Sequence, residues 1–363
     1  MKGAEGKPLT LPLFSDVESL SRVIILSDES KKEIESVSRI YPFRVSRFYA
    51  SLMKPDDPLC PIRLQAIPSK DELAGRGVTD PLGEKRIEAT PAFFQRYRDR
   101  GVFIVAAECA TYCRFCNRRR LVGRGFDPET YRERTIEYLE QHRELREVII
   151  SGGDPLILAP PELDYIIGRL TKMDHIRVLR VSSRMPVMDP ERVRLHQKAL
   201  KKQRCLWFVV HVNHPREVTP EFLDAIRIIR ETGAQVISQT VLLRRVNDCR
   251  HILAHLFERL VEAGVKPYYL FQLDDVVGST HFKVRLDKGV GIMKALRGSV
   301  SGLCMPQYAV DITGGLGKVP LENGYVKKRE GERVYLENLY GEKGTYLDDG
   351  EESRCNNCGM CRS

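Results

Sequence analysis

Three thiols stand within one short segment, Cys109-Ala-Thr-Tyr-Cys113-Arg-Phe-Cys116. Thiolates are soft ligands, and three on one loop can hold three irons of a four-iron cluster while leaving the fourth iron open. The amino and carboxylate groups of S-adenosylmethionine (SAM) can chelate an open iron. A zinc site is the alternative, and it wants a fourth ligand nearby. A second cluster ends the chain, Cys355-Asn-Asn-Cys358-Gly-Met-Cys361. Its thiolates leave tetrahedral zinc one ligand short, so zinc completed from elsewhere and a further iron-sulfur cluster both fit.

Two glycine segments could carry ligands. Ser151-Gly152-Gly153-Asp154 lets a ligand lie against bare backbone, unless it is an ordinary strand-to-helix turn. Asp311-Ile-Thr-Gly314-Gly315-Leu-Gly317-Lys318-Val-Pro320 has Val319 where a phosphate-binding loop needs Ser or Thr. A lysine on flexible, glycine-rich backbone suits instead a Schiff base with a cofactor aldehyde. Arg96-Tyr97-Arg98-Asp99-Arg100 offers arginines four apart, which either fork onto phosphate oxygens or line a solvated helix face.

The elements that must position these residues alternate. Short apolar strands are expected at 102–107, 147–151, 176–183, 207–212, 235–243 and 267–272, with helical segments at 128–142, 161–172, 220–232 and 251–263 between them. Such spacing argues for parallel βα units, closing partway into an open (β/α)6 barrel or lying as a doubly wound sheet. In either case ligands gather at the carboxyl ends of the strands, where the first cysteines and the Gly152-Gly153 pair fall. Residues 1–90 read as a helical N-terminal extension broken by prolines, with no chemistry of their own. Past residue 300 come Met305–Asp311, the glycine segment and strand-like stretches such as Arg333–Leu339.

The chain has 363 residues, ten cysteines and a net charge of +9. Six of those cysteines sit in the two clusters, which argues for metal ligands over a disulfide framework. Cys60, Cys205 and Cys304 read as small hydrophobes. No apolar run can cross a bilayer and no signal pattern opens the chain, so no membrane role and a cytoplasmic location are expected. The positive charge suits nucleic acid or anionic small molecules equally. The run Arg118-Arg119-Arg120 lacks interleaved aromatics, which favours a small-molecule substrate over nucleic acid.

The spacing of the first cysteine cluster is that of radical SAM enzymes. Cys109–Arg120, Ser151–Leu156 and the Lys318 segment together resemble the lysine 2,3-aminomutase family, over a match from about residue 90 to the end. The resemblance implies an α/β fold, a radical SAM partial (β/α)6 barrel over 91–300. The extension over 1–90 precedes it, and 301–363 carries the lysine loop and a C-terminal metal-binding tail.

It further implies a [4Fe-4S] cluster on Cys109, Cys113 and Cys116, and SAM against Gly152, Gly153 and Asp154, with His211 and Gln239 close by. Pyridoxal 5'-phosphate (PLP) is implied on Lys318, its phosphate held by Arg96, Tyr97 and Arg100. Arg118 matches the partner of the substrate α-carboxylate, and Asp274 and Asp311 the two carboxylates that hold a distal amine. Cys249 matches a position that completes a zinc site with Cys355, Cys358 and Cys361 across a subunit interface, hence a homo-oligomer, although the tail spacing departs somewhat from the family's.

The expected activity is interconversion of L-lysine and L-β-lysine, with an amino-acid substrate and an external one-electron reductant. A 2,3-aminomutase of glutamate or arginine, or one making β-lysine for an elongation factor, is the alternative within the family. An iron-sulfur protein that binds or modifies RNA is the alternative outside it.

Overall fold

The computed structural model describes residues 13–73, 76–201, 205–321, 324–338 and 341–348. A short pair, β1 (Leu13–Phe14) and β2 (Val45–Ser46), lies in the N-terminal segment. After it, β3 (Glu88–Thr90) and β4 (Phe93–Tyr97) lead antiparallel into β5 (Arg100–Ala106). From β5 the strands run parallel through β6 (Glu147–Gly152), β7 (Val178–Ser183), β8 (Leu206–His211), β9 (Gln235–Leu242), β10 (Lys266–Gln272) and β11 (Gln307–Ile312). β12 (Gly317–Pro320) then returns antiparallel beside β11.

The result is one ten-stranded sheet ordered from β12 to β3 in reverse chain order. Its two ends do not pair as strands, yet they touch. Arg96 Nη2 of β4 donates to Leu316 O at 2.9 Å, and the Lys318 amide of β12 to Tyr97 Oη at 3.4 Å. Side chains therefore bridge a gap that backbone ladders leave open, the geometry of a partial barrel.

Helices cover the outer face of the parallel strands, and burial alternates along β6 and β7 as one face packs and the other stays partly open. Pro160–Thr171 starts on proline and buries Leu163, Ile166, Ile167 and Leu170, one stripe at helical spacing. Pro220–Glu231 is capped by Thr219, whose hydroxyl accepts from the Phe222 amide at 3.2 Å, and buries Phe222, Ile226 and Ile229. Three differences from the expectation stand out. Between β7 and β8, a stretch for which the sequence reading names no helix, the chain forms Met185–Met188, a 3-10 stretch and Gln197–Lys201. A seventh parallel strand, β11, appears where Met305–Asp311 reads as a loosening pattern. Residues 96–100 form the β4–β5 hairpin and no helix, because Tyr97 pairs with Arg100 across a tight turn.

The N-terminal segment has one helix of 11 residues, Asp28–Ser38, among shorter turns. Its Leu20, Ile34, Phe43, Val45, Tyr49 and Ile62 lie in the same buried cluster as the sheet. The chain divides into two compact units, one ending at Leu321 and a second beginning at Glu322. Among its described residues the second holds a three-stranded antiparallel sheet, β13 (Val326–Glu330), β14 (Arg333–Glu337) and β15 (Lys343–Leu347).

Candidate functional site

The cysteine loop leaves the end of β5 and is pinned at its root by the end of β6. Gly153 N donates to Ala106 O at 2.6 Å and Asp154 N to Glu108 O at 2.9 Å. Gly152 has φ of +128°, and a Cβ there would stand 2.2 Å from Ala106 O. A Cβ on Gly153 would meet Glu108 O at the same 2.2 Å. Only glycine lets these backbones approach so closely. The Asp154 carboxylate accepts from Ser183 Oγ at 2.8 Å, from the Arg184 amide at 2.7 Å and from the Leu156 amide at 3.0 Å. It is thus engaged in tying β6 to β7, and burial raises its pKa.

Further along, the loop is held by the N-terminal segment. Arg114, 1% exposed, forks onto Glu72 at 2.8 and 2.6 Å. Arg184 gives Nη1 to Cys113 Sγ at 2.7 Å and Nη2 to Glu217 Oε1 at 2.7 Å and Gln65 Oε1 at 2.6 Å. Burial works to raise the Glu217 carboxyl, but Arg184 and backbone amides hold it below its usual value. Burial pushes the Cys109 thiol well up and that of Cys116 to about 11, with neighbouring thiols adding to both. Bare, the Cys109 and Cys116 thiols resist ionising, and cations bound at them would reverse that preference.

The lysine lies across the cavity on a hairpin. Lys318 is directly opposite Asp311 in the β11–β12 ladder, and its Nζ stands 3.1 Å from Asp311 Oδ1 and 5.3 Å from the Phe271 ring centre. Cross-strand pairing, more than a flexible loop, presents the amine. Asp274 follows β10 and accepts from Asn117 Nδ2 at 2.7 Å. Burial, with Asp311 nearby, lifts its carboxyl to about 6. Arg118 gives Nε to Glu84 at 2.7 Å and Nη1 to Ser151 Oγ at 3.2 Å.

His211 ends β8 in register with Gln239 of β9. Burial and the Arg184 charge lower its pKa to about 3, so the ring is neutral, and Nε2 lies 3.1 Å from Asn213 Oδ1. Arg100 lies over the Tyr97 ring, its guanidinium carbon 4.4 Å from the ring centre.

One cavity of about 700 Å³ collects these groups. Cys109, Cys113, Cys116, Arg118, Gly152, Gly153, Asp154, His211, Gln239, Asp274, Asp311 and Lys318 line it, as do Arg96, Tyr97 and Arg100. Cys249 does not; it begins the helix Arg250–Glu262. Cys355, Cys358 and Cys361 lie outside the described residues. The three consecutive arginines are no solvated basic patch. Arg118, Arg119 and Arg120 are 15%, 10% and 14% exposed and pair inward with Glu84, Glu72 and Glu84.

Residues 103–257 match the Radical SAM superfamily and residues 293–361 match Lysine-2,3-aminomutase. An L-lysine 2,3-aminomutase of Clostridium subterminale is 36% identical over 350 residues, covering 95% of this chain and 84% of the relative. The chain belongs to the lysine 2,3-aminomutase family. A putative L-lysine 2,3-aminomutase of Aquifex aeolicus is 39% identical over 91% of each chain. A glutamate 2,3-aminomutase of Clostridioides difficile is 34% identical over 90% of this chain and 79% of its own. Membership makes this protein an isomerase of the aminomutase type, and its radical SAM domain implies a [4Fe-4S] cluster and SAM.

The residues present fit those groups. Among the described residues no three His, Cys, Asp or Glu side chains converge on one ion, yet three thiols of one loop face one cavity. A cluster that takes each thiolate on a different iron suits such a set. Nor do the described residues, Cys249 included, assemble a zinc site. No helix among them is long and apolar enough to cross a membrane.

Sequence reasoning missed Glu84, Asn117, Arg184 and Glu217. Glu84 lies 34 residues before Arg118 in a segment without a motif, and Glu217 lies 33 after Arg184. Nothing in local spacing could have joined them.

Proposed function

We propose that the protein interconverts L-lysine and L-β-lysine. The carrying observation is that Asp274 and Asp311 face the cavity that also holds Arg118, Lys318 and the cysteine loop. Two carboxylates and the Arg118 guanidinium in one cavity suit a substrate with a carboxylate at one end and an ammonium at the other. A substrate with a second carboxylate would meet like charge there, which weighs against glutamate.

Each residue then has a task. Cys109, Cys113 and Cys116 would hold three irons, and Gly152, Gly153, His211 and Gln239 would bound the SAM pocket. Lys318 would hold PLP through its amine and release it to the substrate amine, with Asp311 beside Nζ to keep it oriented. Arg96, Tyr97 and Arg100 would neutralise the cofactor phosphate. Arg118 would bind the α-carboxylate through Nη2, which makes no hydrogen bond among the described residues. When bound, the cluster and SAM supply the radical that removes and returns a hydrogen at the β-carbon, and PLP supplies the π-system over which nitrogen moves. Substrate and product are isomers, so no oxidant is consumed; an external one-electron donor would charge the cluster.

The zinc reading of Cys249, Cys355, Cys358 and Cys361, the homo-oligomer it implies and the cytoplasmic location belong to the same proposal. They rest on the cysteine spacing and on the need for reduced iron. Metal analysis of the purified protein tests the zinc, where more than one zinc per two chains is expected.

The deciding experiment is anaerobic reconstitution with iron, sulfide and PLP, then incubation with SAM, a reductant and L-lysine, following β-lysine by mass spectrometry. Formation of β-lysine that is lost in Lys318→Ala supports the reading. Bound cluster and PLP with lysine untouched and glutamate converted would overturn the substrate.

A further inference from the structure

The segment Asp80–Arg86 lies in the part of the chain that carries no chemistry of its own, and it touches both halves of the site. On one side, the Glu84 carboxylate, on a residue 3% exposed, takes Arg118 Nε on Oε1 and Arg120 Nη2 on Oε2, each at 2.7 Å. Asp80 in turn accepts from the Glu84 and Lys85 amides, both at 3.0 Å, which fixes the turn that presents Glu84. On the other side the same turn supports the lysine hairpin. Pro81 O accepts from Gly314 N at 2.9 Å, and Arg86 Nη1 donates to Gly314 O at 3.2 Å. Gly83, at φ +59°, lies so close that a Cβ would stand 2.7 Å from Gly314 C.

We infer that Glu84 is a positioning residue that aims Arg118 at the substrate carboxylate, on a turn that also sets the distance from Arg118 to Lys318. The inference rests on the lysine reading proposed above and deepens it. An arginine can bind a carboxylate tightly only if its fork is held still, since an idle guanidinium loses rotamer freedom on binding. Glu84 occupies Nε and Ser151 occupies Nη1, so Nη2 is the nitrogen left to the cavity. The second oxygen of Glu84 holds Arg120, so one carboxylate offsets the repulsion between two neighbouring guanidinium groups. Glu84 thereby acts through Arg118 without touching substrate.

Glu84→Gln keeps the shape but can accept from only one of the two guanidinium groups with its single carbonyl oxygen. The test measures, for the reconstituted enzyme and this variant, KM and kcat for L-lysine and the inhibition constant of L-lysine amide, which lacks the carboxylate. The visible absorbance of bound PLP serves as a check that the Lys318 end is intact. The expected result is a rise in KM of about tenfold with kcat within about twofold, the loss of one charge-assisted hydrogen bond. The amide should bind both proteins alike. Glu84→Asp, which restores the charge on a shorter stem, should recover part of the loss.

A parallel weakening of lysine and its amide would show general loosening and overturn the inference, as would an unchanged KM. If the parent enzyme binds PLP but converts no lysine, the lysine reading falls and takes this inference with it. That pattern differs from a parent that works and a variant that works equally well.

Discussion

The cysteine loop and the lysine hairpin face one cavity but are held in opposite ways. Around the loop, Arg114, Glu72, Arg184, Glu217 and Gln65 are all under 8% exposed and interlock through charge-assisted hydrogen bonds. Around the hairpin, Lys318 is 36% exposed at its side chain and has one ion pair, to Asp311, at 3.1 Å. The Gly314–Lys318 turn rests on a few hydrogen bonds, to Pro81 O and to the side chains of Arg86, Arg96 and Tyr97. On the proposed function, the three thiolates would hold a cluster, which needs a frame that cannot shift. On that same function, Lys318 would have to let go of a cofactor, and a single ion pair whose lysine is 36% exposed would be a weak hold on it.

The largest expected effect lies on the hairpin. Lys318→Ala should lower β-lysine formation by roughly three orders of magnitude or more and abolish the visible absorbance of bound PLP, while the unfolding midpoint stays close to the parent's. Should the variant lose its fold instead, the hairpin is as structural as the loop and the contrast fails. Next comes Arg184→Ala, which strands Glu217 as a buried unpaired charge. Unfolding by denaturant should show a loss of about 3–5 kcal/mol, with little iron retained after reconstitution. A variant as stable as the parent would mean that the cysteine frame is looser than its bonds suggest.

Gly83→Ala places a Cβ on backbone that disfavours it and 2.7 Å from Gly314. An activity loss of about tenfold and a stability loss of about 1–3 kcal/mol should follow, read by initial rates and melting. The pH dependence is smaller over the working range. Asp274 lies near 6, so its carboxylate is ionised above that value and neutral below it. The kcat/KM for lysine should therefore fall as pH drops through about 6, with a slope approaching one, and Asp274→Asn should remove that limb. Because the raised value means the folded protein holds this proton more tightly than the unfolded chain, ionised Asp274 costs stability above about 6. Asp274→Asn should accordingly melt higher than the parent at pH 7 and not below pH 4. The smallest effect is on stability in Asp311→Asn, about 1 kcal/mol or less by thermal unfolding, although KM for lysine should rise.

Much of this was legible along the chain. Apolar runs with helices between them marked six strands to within about two residues at either end, because buried parallel strands are continuous in hydrophobicity. The cysteine spacing and the Gly152-Gly153 pair marked one end of the site, and the Asp311 to Lys318 segment the other. β11 escaped because its exposed rim breaks the apolar run: Gln307 and Ile312 are exposed while Tyr308 and Ala309 are buried. The β4–β5 hairpin escaped because arginines four apart look the same on a helix and across a turn. Arg184 and Glu84 escaped for a different reason, since each finds its partners on segments distant in sequence.

By itself, then, the sequence determined which chemistry is present: soft thiol ligands at a fixed spacing, a lysine beside glycines, and acidic and basic residues in the loops after strands. These are properties of residue type and short separation. Only the tertiary structure decided that Asp154 serves the backbone, that the arginine run turns inward, that Asp311 faces Lys318 across a ladder, and that a motif-free turn at residues 80–86 touches both ends of the site. Burial raises the cost of an unpaired charge, so each interior charge must find a partner wherever the fold brings one. Such pairings are set by strand order and loop path, which no local pattern encodes.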